Sequence, residues 1–293
     1  MEHAPNCNLR PTTIALEFRG GFHSVSMTRS ASFDSPHPIA RTNRAWHAAG
    51  AMAMNVLRNA LPQTCTLCAA RCGNALVCGA CAAAFPRLHA ACPVCGLPTT
   101  ASSIVNGSLA CGACLAQPPP FAATVAPLVY AFPVDRLLQA LKYEGRLALA
   151  HWAAGELVAA VALDLAQRDR SFHPDCLVAL PLAPLRQRQR GFNQAHEIAR
   201  RVAPRLALPV EDALVRPSGV VAQAALPWEE RARNVRGAFA VRGDVRGWRI
   251  ALVDDVMTTG ATLTEAARML RRAGAARVEC WVVARTLAPG NVA

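Results

Sequence analysis

The chain has 293 residues, 53% of them hydrophobic, and a formal net charge of +12. That length suits two compact units, and the hydrophobic share, much of it alanine in runs broken by charge, proline or glycine, excludes a bundle of membrane spans. The basic excess is arginine apart from Lys142, and it favours anionic partners such as phosphates or nucleic acid while leaving the fold open.

Residues 1–60 mix Pro, Ser, His and Arg with neither a helical nor a strand period, so a disordered extension is expected there. An Arg- and Ser-rich leader also resembles a transit peptide, and translation from Met27, Met52 or Met54 would remove it altogether. No stretch has the basic start, apolar core and small-residue cleavage site of a secretory signal. The twelve cysteines are therefore expected in a reducing cytoplasm.

Next comes a cysteine-dense block, expected as a small domain over 61–118. Eight cysteines form four C-x-x-C pairs: Cys65/Cys68, Cys78/Cys81, Cys92/Cys95 and Cys111/Cys114. A two-residue gap lets both thiolates of one turn point at one ion, and two such turns close a tetrahedral zinc site. The spacing predicts two structural Zn²⁺ sites, most simply 65/68 with 78/81 and 92/95 with 111/114, and spacing alone does not exclude a crossed pairing. Redox chemistry or free buried thiols are the competing reading. So small and Gly-rich a block has little apolar mass to fold without metal. Cys7, Cys72, Cys176 and Cys280 are left over, the last two expected in buried strands.

After QPPPF (117–121) the periodicity changes, opening an expected second domain over 119–293. VAPLVYAF (125–132) has strand character, RLLQALKY (136–143) a short helix and 147–166 a long one. The long helix carries His151 and Glu156 and is followed by Asp164, so it is expected as a buried amphipathic helix and not as a transmembrane segment. CLVALPL (176–182) is a strand. Asn193 is a plausible N-cap for a helix with Ala195, Ile198, Ala199, Val202 and Leu206 on one face. WRIALVDD (248–255) is a strand, 262–273 a helix stopped by Gly274, and VECWVVA (278–284) a last strand. Strands alternating with helices predict a mostly parallel sheet covered on both faces, with ligands beyond the carboxyl ends of its strands.

IALVDDVMTTGATL (250–263) places two carboxylates, Asp254 and Asp255, before a loop that opens a helix. Backbone N–H groups and the positive helix end would converge there on an anion such as phosphate. Thr258, Thr259 and Thr262 add hydroxyls, and Gly260 permits close approach. The acids can accept hydrogen bonds from a vicinal diol. A diol next to a phosphate describes a ribose 5-phosphate.

VDDVMTTGAT resembles the phosphoribosyl pyrophosphate (PRPP) motif of type I phosphoribosyltransferases. LKYEGR (141–146), LVALPL with RQRQRGFNQA (186–195), and RPSGVVAQAAL with EERARNVRGAF (216–239) extend the resemblance to the ComF competence family, whose members carry an N-terminal zinc ribbon. The resemblance spans about 60 to 287. It implies an α/β fold, a type I phosphoribosyltransferase-like mostly parallel sheet flanked by helices, preceded by a small cysteine-rich zinc-ribbon domain. It also implies that Asp254 and Asp255 hold the ribose hydroxyls and that Thr258, Thr259, Gly260, Ala261 and Thr262 hold the 5-phosphate. The turn Leu180, Pro181, Leu182 would receive pyrophosphate with Mg²⁺, and Arg186, Arg188 and Arg190 would supply charge. Lys142 joins this set as the one basic position that is not arginine. Residues 216–239 would form the loop closing over PRPP, with Gln223, Arg231 and Asn234 as contacts.

Each assignment has a plainer competitor. Acids at a strand end can be solvated turn residues, RQRQR an exposed charged face, and Arg190 to Gln194 a chain turn with a helix cap. If the site is catalytic, PRPP loses pyrophosphate through an oxocarbenium-like state stabilised by Mg²⁺ and arginines. The rival expectation, also from the resemblance, is a non-catalytic competence protein that holds single-stranded DNA and works with the DNA-uptake machinery. Against it stands an aromatic content of 5%.

Overall fold

The computed structural model describes residues 63–99, 110–169, 173–217 and 237–287. All of these belong to one compact unit, Met54–Ala293. The expected extension 1–60, with Cys7, and the loop positions Gln223, Arg231 and Asn234 lie outside the described residues.

Two short helices punctuate the cysteine block, α1 (Gly79–Ala83) and α2 (Gly112–Ala116), each opening directly after a cysteine. The chain continues through β1 (Thr124–Val125), β2 (Leu128–Val129), α3 (Val134–Tyr143), α4 (Ala148–Ala166), β3 (Cys176–Ala179), α5 (Pro184–Arg190) and α6 (Gln194–Leu206). It then forms β4 (Leu214–Val215), β5 (Ala240–Val241), β6 (Arg249–Met257), α7 (Ala261–Arg272) and β7 (Arg277–Arg285). β4 and β5 make a small antiparallel pair.

The main sheet is parallel, in the order β3, β6, β7, with β1 and β2 pairing successive stretches of β7. The single strand expected over 125–132 is thus two pieces. Pro127 has no N–H to give to a ladder, and its carbonyl accepts instead from the Leu88 N–H at 3.0 Å. The cysteine block is fastened to this edge by further bonds, Thr124 Oγ1 to the Val94 carbonyl (2.6 Å) and the Val129 N–H to the Pro86 carbonyl (2.8 Å).

Strand alternation builds two cores. Ala251 and Val253 of β6 pack with α3, α4 and α6, whereas Ile250 and Leu252 pack with α7. The composition of α4 is long and apolar enough to cross a membrane. Its Leu149, Ala153, Leu157 and Val161 are nevertheless buried in the first core, the place of a core helix. Cys176 and Cys280 sit buried in β3 and β7.

Two elements differ from the sequence reading. RQRQR belongs to a helix, α5, opened by Pro184 at its first turn and ended by Gly191 at φ +79°; none of its residues is buried. β6 also runs through both acids to Met257 and does not stop at them. Asn193 caps α6 as expected, its side chain accepting from the Ala195 N–H at 3.0 Å.

Candidate functional site

Asp254 and Asp255 lie near the carboxyl end of β6, on a strand with β3 on one side and β7 on the other. Asp255 is buried, and its Oδ2 stands 2.5 Å from Lys142 Nζ at the end of α3. Asp254 keeps partial exposure, and its Oδ1 accepts from the Asp255 N–H at 2.8 Å. Burial first, then the Asp255 charge, pushes the Asp254 carboxyl well above the usual carboxylate range, with Lys142 opposing. Burial would lower the Lys142 ammonium, but the Asp255 carboxylate outweighs it and holds the proton on. A shared cation and an easily protonated neighbour let two adjacent acids coexist.

Beyond Met257 the chain turns sharply. Gly260 has φ +80°, a left-handed backbone that favours glycine, and a Cβ there would press only on the end of the Met257 side chain, Cε at 2.9 Å. Thr259 Oγ1 accepts from the Ala261 N–H at 3.2 Å, and Thr262 lies in the first turn of α7. Thr258 and Thr259 are exposed, and the positive end of a twelve-residue helix stands behind them. The Thr258 carbonyl accepts from Arg285 Nη1 and from the Thr286 hydroxyl.

Lys142, the partner of Asp255, also lines a cleft of about 360 Å³ with Tyr143, Arg186, Arg190 and Phe192 among others. Arg190 stacks over the Tyr143 ring at 5.3 Å from its centroid and donates to Gln194 Oε1 at 2.6 Å. Helical spacing explains the pairing of arginines: residues i and i+4 share a face. Arg188 does not join them. It lines a second cleft of about 550 Å³ with Pro181, Leu182 and Arg216. The expected trio of arginines is therefore split between two sides of α5. Leu180 donates to the Val253 carbonyl (2.9 Å) and accepts from Asn193 Nδ2 (3.0 Å), so Asn193 both caps α6 and pins the turn after β3.

The eight cysteines gather as two tetrads, 65/68/78/81 and 92/95/111/114, with the sulfurs of each within 4.8 Å of one another. The sequential pairing is the one the fold makes. Cys68 and Cys78 sulfurs lie 3.7 Å apart, as do those of Cys95 and Cys111. A tetrahedron of Zn–S bonds of about 2.3 Å has edges of roughly 3.8 Å, so the spacing fits a four-coordinate ion. Backbone N–H groups aim at the sulfurs, from Cys78 to Cys65 (3.3 Å) and from Cys111 to Cys92 (3.2 Å). Burial opposes ionisation, yet these donors outweigh it and hold the Cys65 thiol down to about 6 and the Cys92 thiol to about 7. Cys72 stays outside the tetrads and donates to the Ala75 carbonyl at 2.9 Å.

Two further positions bear on the site, and sequence reasoning passed over both. Glu265 is buried on the apolar face of α7 and accepts from the Gly237 N–H at 2.8 Å, tying the described end of the 216–239 segment to that helix. A glutamate within the stripe Leu263, Ala266, Leu270 was the available signal. Arg285, the last residue of β7, is 4% exposed and reaches both the loop and the second tetrad. Nothing in its sequence context separates it from the other arginines.

The profile of the phosphoribosyl transferase domain matches residues 189–290, which span β6, the loop, α7 and the turn-and-helix region before them. The DNA utilization protein YhgH of Salmonella typhimurium is 35% identical over 213 residues, 72% of this chain and 91% of that protein. Competence protein F of Haemophilus influenzae is 31% identical over 179 residues, 60% of this chain and 78% of its own. Among solved structures, the B. subtilis glutamine PRPP amidotransferase complexed with ADP and GMP aligns at 24% identity and a TM-score of 0.30, over 45% of this chain and 26% of that one.

Proposed function

The chain belongs to the ComF competence family, with a phosphoribosyltransferase-type α/β domain, and from that premise we propose that it binds PRPP or another 5-phosphorylated ribose at the junction of β6 and α7. One observation carries this reading: Gly260 is held left-handed at φ +80°, opening a helix beside an acid pair that Lys142 partly neutralises. In this reading the loop Thr258 to Thr262 takes the 5-phosphate through backbone N–H groups and hydroxyls. Asp254 and Asp255 accept from the ribose hydroxyls. The turn Leu180 to Leu182 takes the pyrophosphate, with Arg188 supplying positive charge in the cleft that Pro181 and Leu182 line, and Arg186 and Arg190 supplying it from the cleft beside Lys142.

Mg²⁺ would enter with the pyrophosphate as its counter-ion. The chain's own contribution to turnover would be electrostatic: carboxylates beneath a ring gaining positive charge as the C1 bond breaks, and cations beside the leaving group. Two structural zinc ions would close the tetrads and leave no open position for chemistry. Thiolates kept for metal suit a reducing cytoplasm. The test is calorimetric titration of PRPP with Mg²⁺, with ribose and inorganic pyrophosphate as separate probes. PRPP is expected to bind more tightly than either part, and a silent PRPP titration contradicts the reading. Pyrophosphate release with added bases or amines then separates turnover from holding.

A second reading is favoured by the cleft itself. Tyr143 is 76% exposed and stacked with Arg190 beside Phe192, which offers a base-stacking and phosphate-binding surface of the kind single-stranded nucleic acid uses. The relatives named for DNA utilization and competence agree with a role in DNA handling or uptake. Anisotropy with labelled single-stranded DNA should give an affinity that falls steeply with salt. A salt-independent signal, or none, removes the DNA role.

A further inference from the structure

Arg285 is a buried cation whose polar partners, among the described residues, are all carbonyl or hydroxyl oxygens. Its Nε donates to the Cys95 carbonyl at 3.0 Å. Its Nη1 donates to the Met257 carbonyl at 3.0 Å and to the Thr258 carbonyl. The same Nη1 reaches the Thr286 carbonyl at 3.1 Å. The planar guanidinium fork therefore has one arm on a cysteine ligand of the second tetrad and another on the start of the phosphate loop. Thr286 reinforces the loop side, its N–H donating to the Met257 carbonyl (3.1 Å) and its hydroxyl to the Thr258 carbonyl (3.2 Å).

Steric fit agrees with this placement. A Cβ at Gly96, the residue after Cys95, would stand 3.1 Å from Thr124 Cγ2 and 3.8 Å from Arg285 Cδ, so the knuckle lies directly against the arginine. A buried guanidinium without a carboxylate partner needs negative charge nearby. Four thiolates around one divalent ion carry a net charge of about −2, and this cluster adjoins Arg285 through Cys95. The first tetrad packs elsewhere: Cys65, Cys78 and Cys81 join the core built with α3, α4 and α6, Thr66 Oγ1 accepts from Arg146 Nη2 at 3.4 Å, and among the described residues no hydrogen bond runs from it to the loop 257–262.

We propose that Arg285 is a positioning residue that couples metal loading of the second tetrad, Cys92, Cys95, Cys111 and Cys114, to the order of the loop Met257 to Thr262. A loaded tetrad fixes the Cys95 carbonyl and supplies the countercharge; Arg285 then holds the Met257 and Thr258 carbonyls inward, which leaves the following N–H groups and hydroxyls facing outward for an anion. The link is reciprocal, since a ligand that orders the loop must tighten metal at that tetrad by the same factor. This last consequence rests on the phosphate-binding reading above; the loop coupling does not.

The experiment is hydrogen exchange over 257–262 in the full chain, before and after chelation, for the native protein and for Cys68→Ser, Cys114→Ser and Arg285→Lys. Native protein and Cys68→Ser should both exchange about tenfold faster once the second tetrad is stripped. Cys68→Ser before chelation should match native within about twofold. Arg285→Lys keeps the charge but loses the fork, and its loop should exchange fast and ignore chelation. Equal exchange in native protein before and after chelation overturns the proposal, as does Cys68→Ser loosening the loop as much as Cys114→Ser. A second arm follows zinc release from Cys68→Ser with and without PRPP. Slower release with PRPP is expected, and unchanged release despite calorimetrically proven binding overturns the coupling. Absence of PRPP binding sinks the functional reading alone, because the exchange arm needs no ligand.

Discussion

The cysteine block and the end of β6 face the same electrostatic problem and meet it differently. Each tetrad draws four sulfurs within 4.8 Å, a cluster whose thiolate form would be balanced by an external cation. The acid pair draws two carboxylates together and answers with an internal cation, Lys142, and with an Asp254 carboxyl that burial and Asp255 push toward its protonated form. An external ion can be removed without changing the sequence, whereas an internal one is part of the fold. The end of β6 keeps its charge partly unresolved beside an exposed loop, and the proposed 5-phosphorylated ribose would bind there.

Removing the external cation has the largest expected effect. Structural zinc supplies on the order of 10 kcal/mol to small metal domains, so chelation should open residues 63–116 to limited proteolysis while β3, β6 and β7 stay protected. Equal protection with and without chelator would show that the tetrads do not depend on metal. Removing the internal cation comes next. Lys142→Met leaves Asp255 buried and unpaired, at a cost of about 3 kcal/mol or more in urea unfolding. Adding Asp255→Asn should recover most of that loss, and no recovery would mean that Lys142 acts through other contacts.

Asp254→Asn moves stability the other way. Its carboxyl is raised in the folded state, so between the unfolded value and the raised one the native state binds the extra proton, and this group's contribution falls as pH rises. Near neutrality the variant should gain about 1 kcal/mol, and the gain should shrink as pH is lowered toward the unfolded carboxylate value. A gain independent of pH would argue against that charge as the cause. A binding comparison separates the two sides of α5. Arg186→Ala or Arg190→Ala, beside Lys142, and Arg188→Ala, beside Pro181 and Leu182, should each weaken PRPP about tenfold, or roughly 1.4 kcal/mol, and native affinity in one of the two sets would exclude that side of α5 from the site.

Much of the fold was legible because burial imposes a period. The stripe Ile198, Ala199, Val202 and the cap Asn193 define α6, and the apolar runs of β6 and β7 mark strands buried on both faces. α5 was not legible as a helix, since a helix that buries nothing leaves no apolar stripe. The break at Pro127 was visible as a proline but not as a docking point, because its partner Leu88 lies in another region of the sequence. In the site, the acids announced themselves by adjacency and Lys142 by being the sole lysine. Arg285 had no such mark; its role depends on carbonyls from Cys95, Met257 and Thr258 that only the folded chain brings together.

The most direct test of the central claim is titration of PRPP and Mg²⁺ into the native protein and into Asp254→Asn/Asp255→Asn, after unfolding measurements show the variant folded. The account predicts saturable binding by the native protein and at least a tenfold loss in the variant, a difference of about 1.4 kcal/mol or more. Equal affinity in the two proteins, or no binding by the native one, would contradict it.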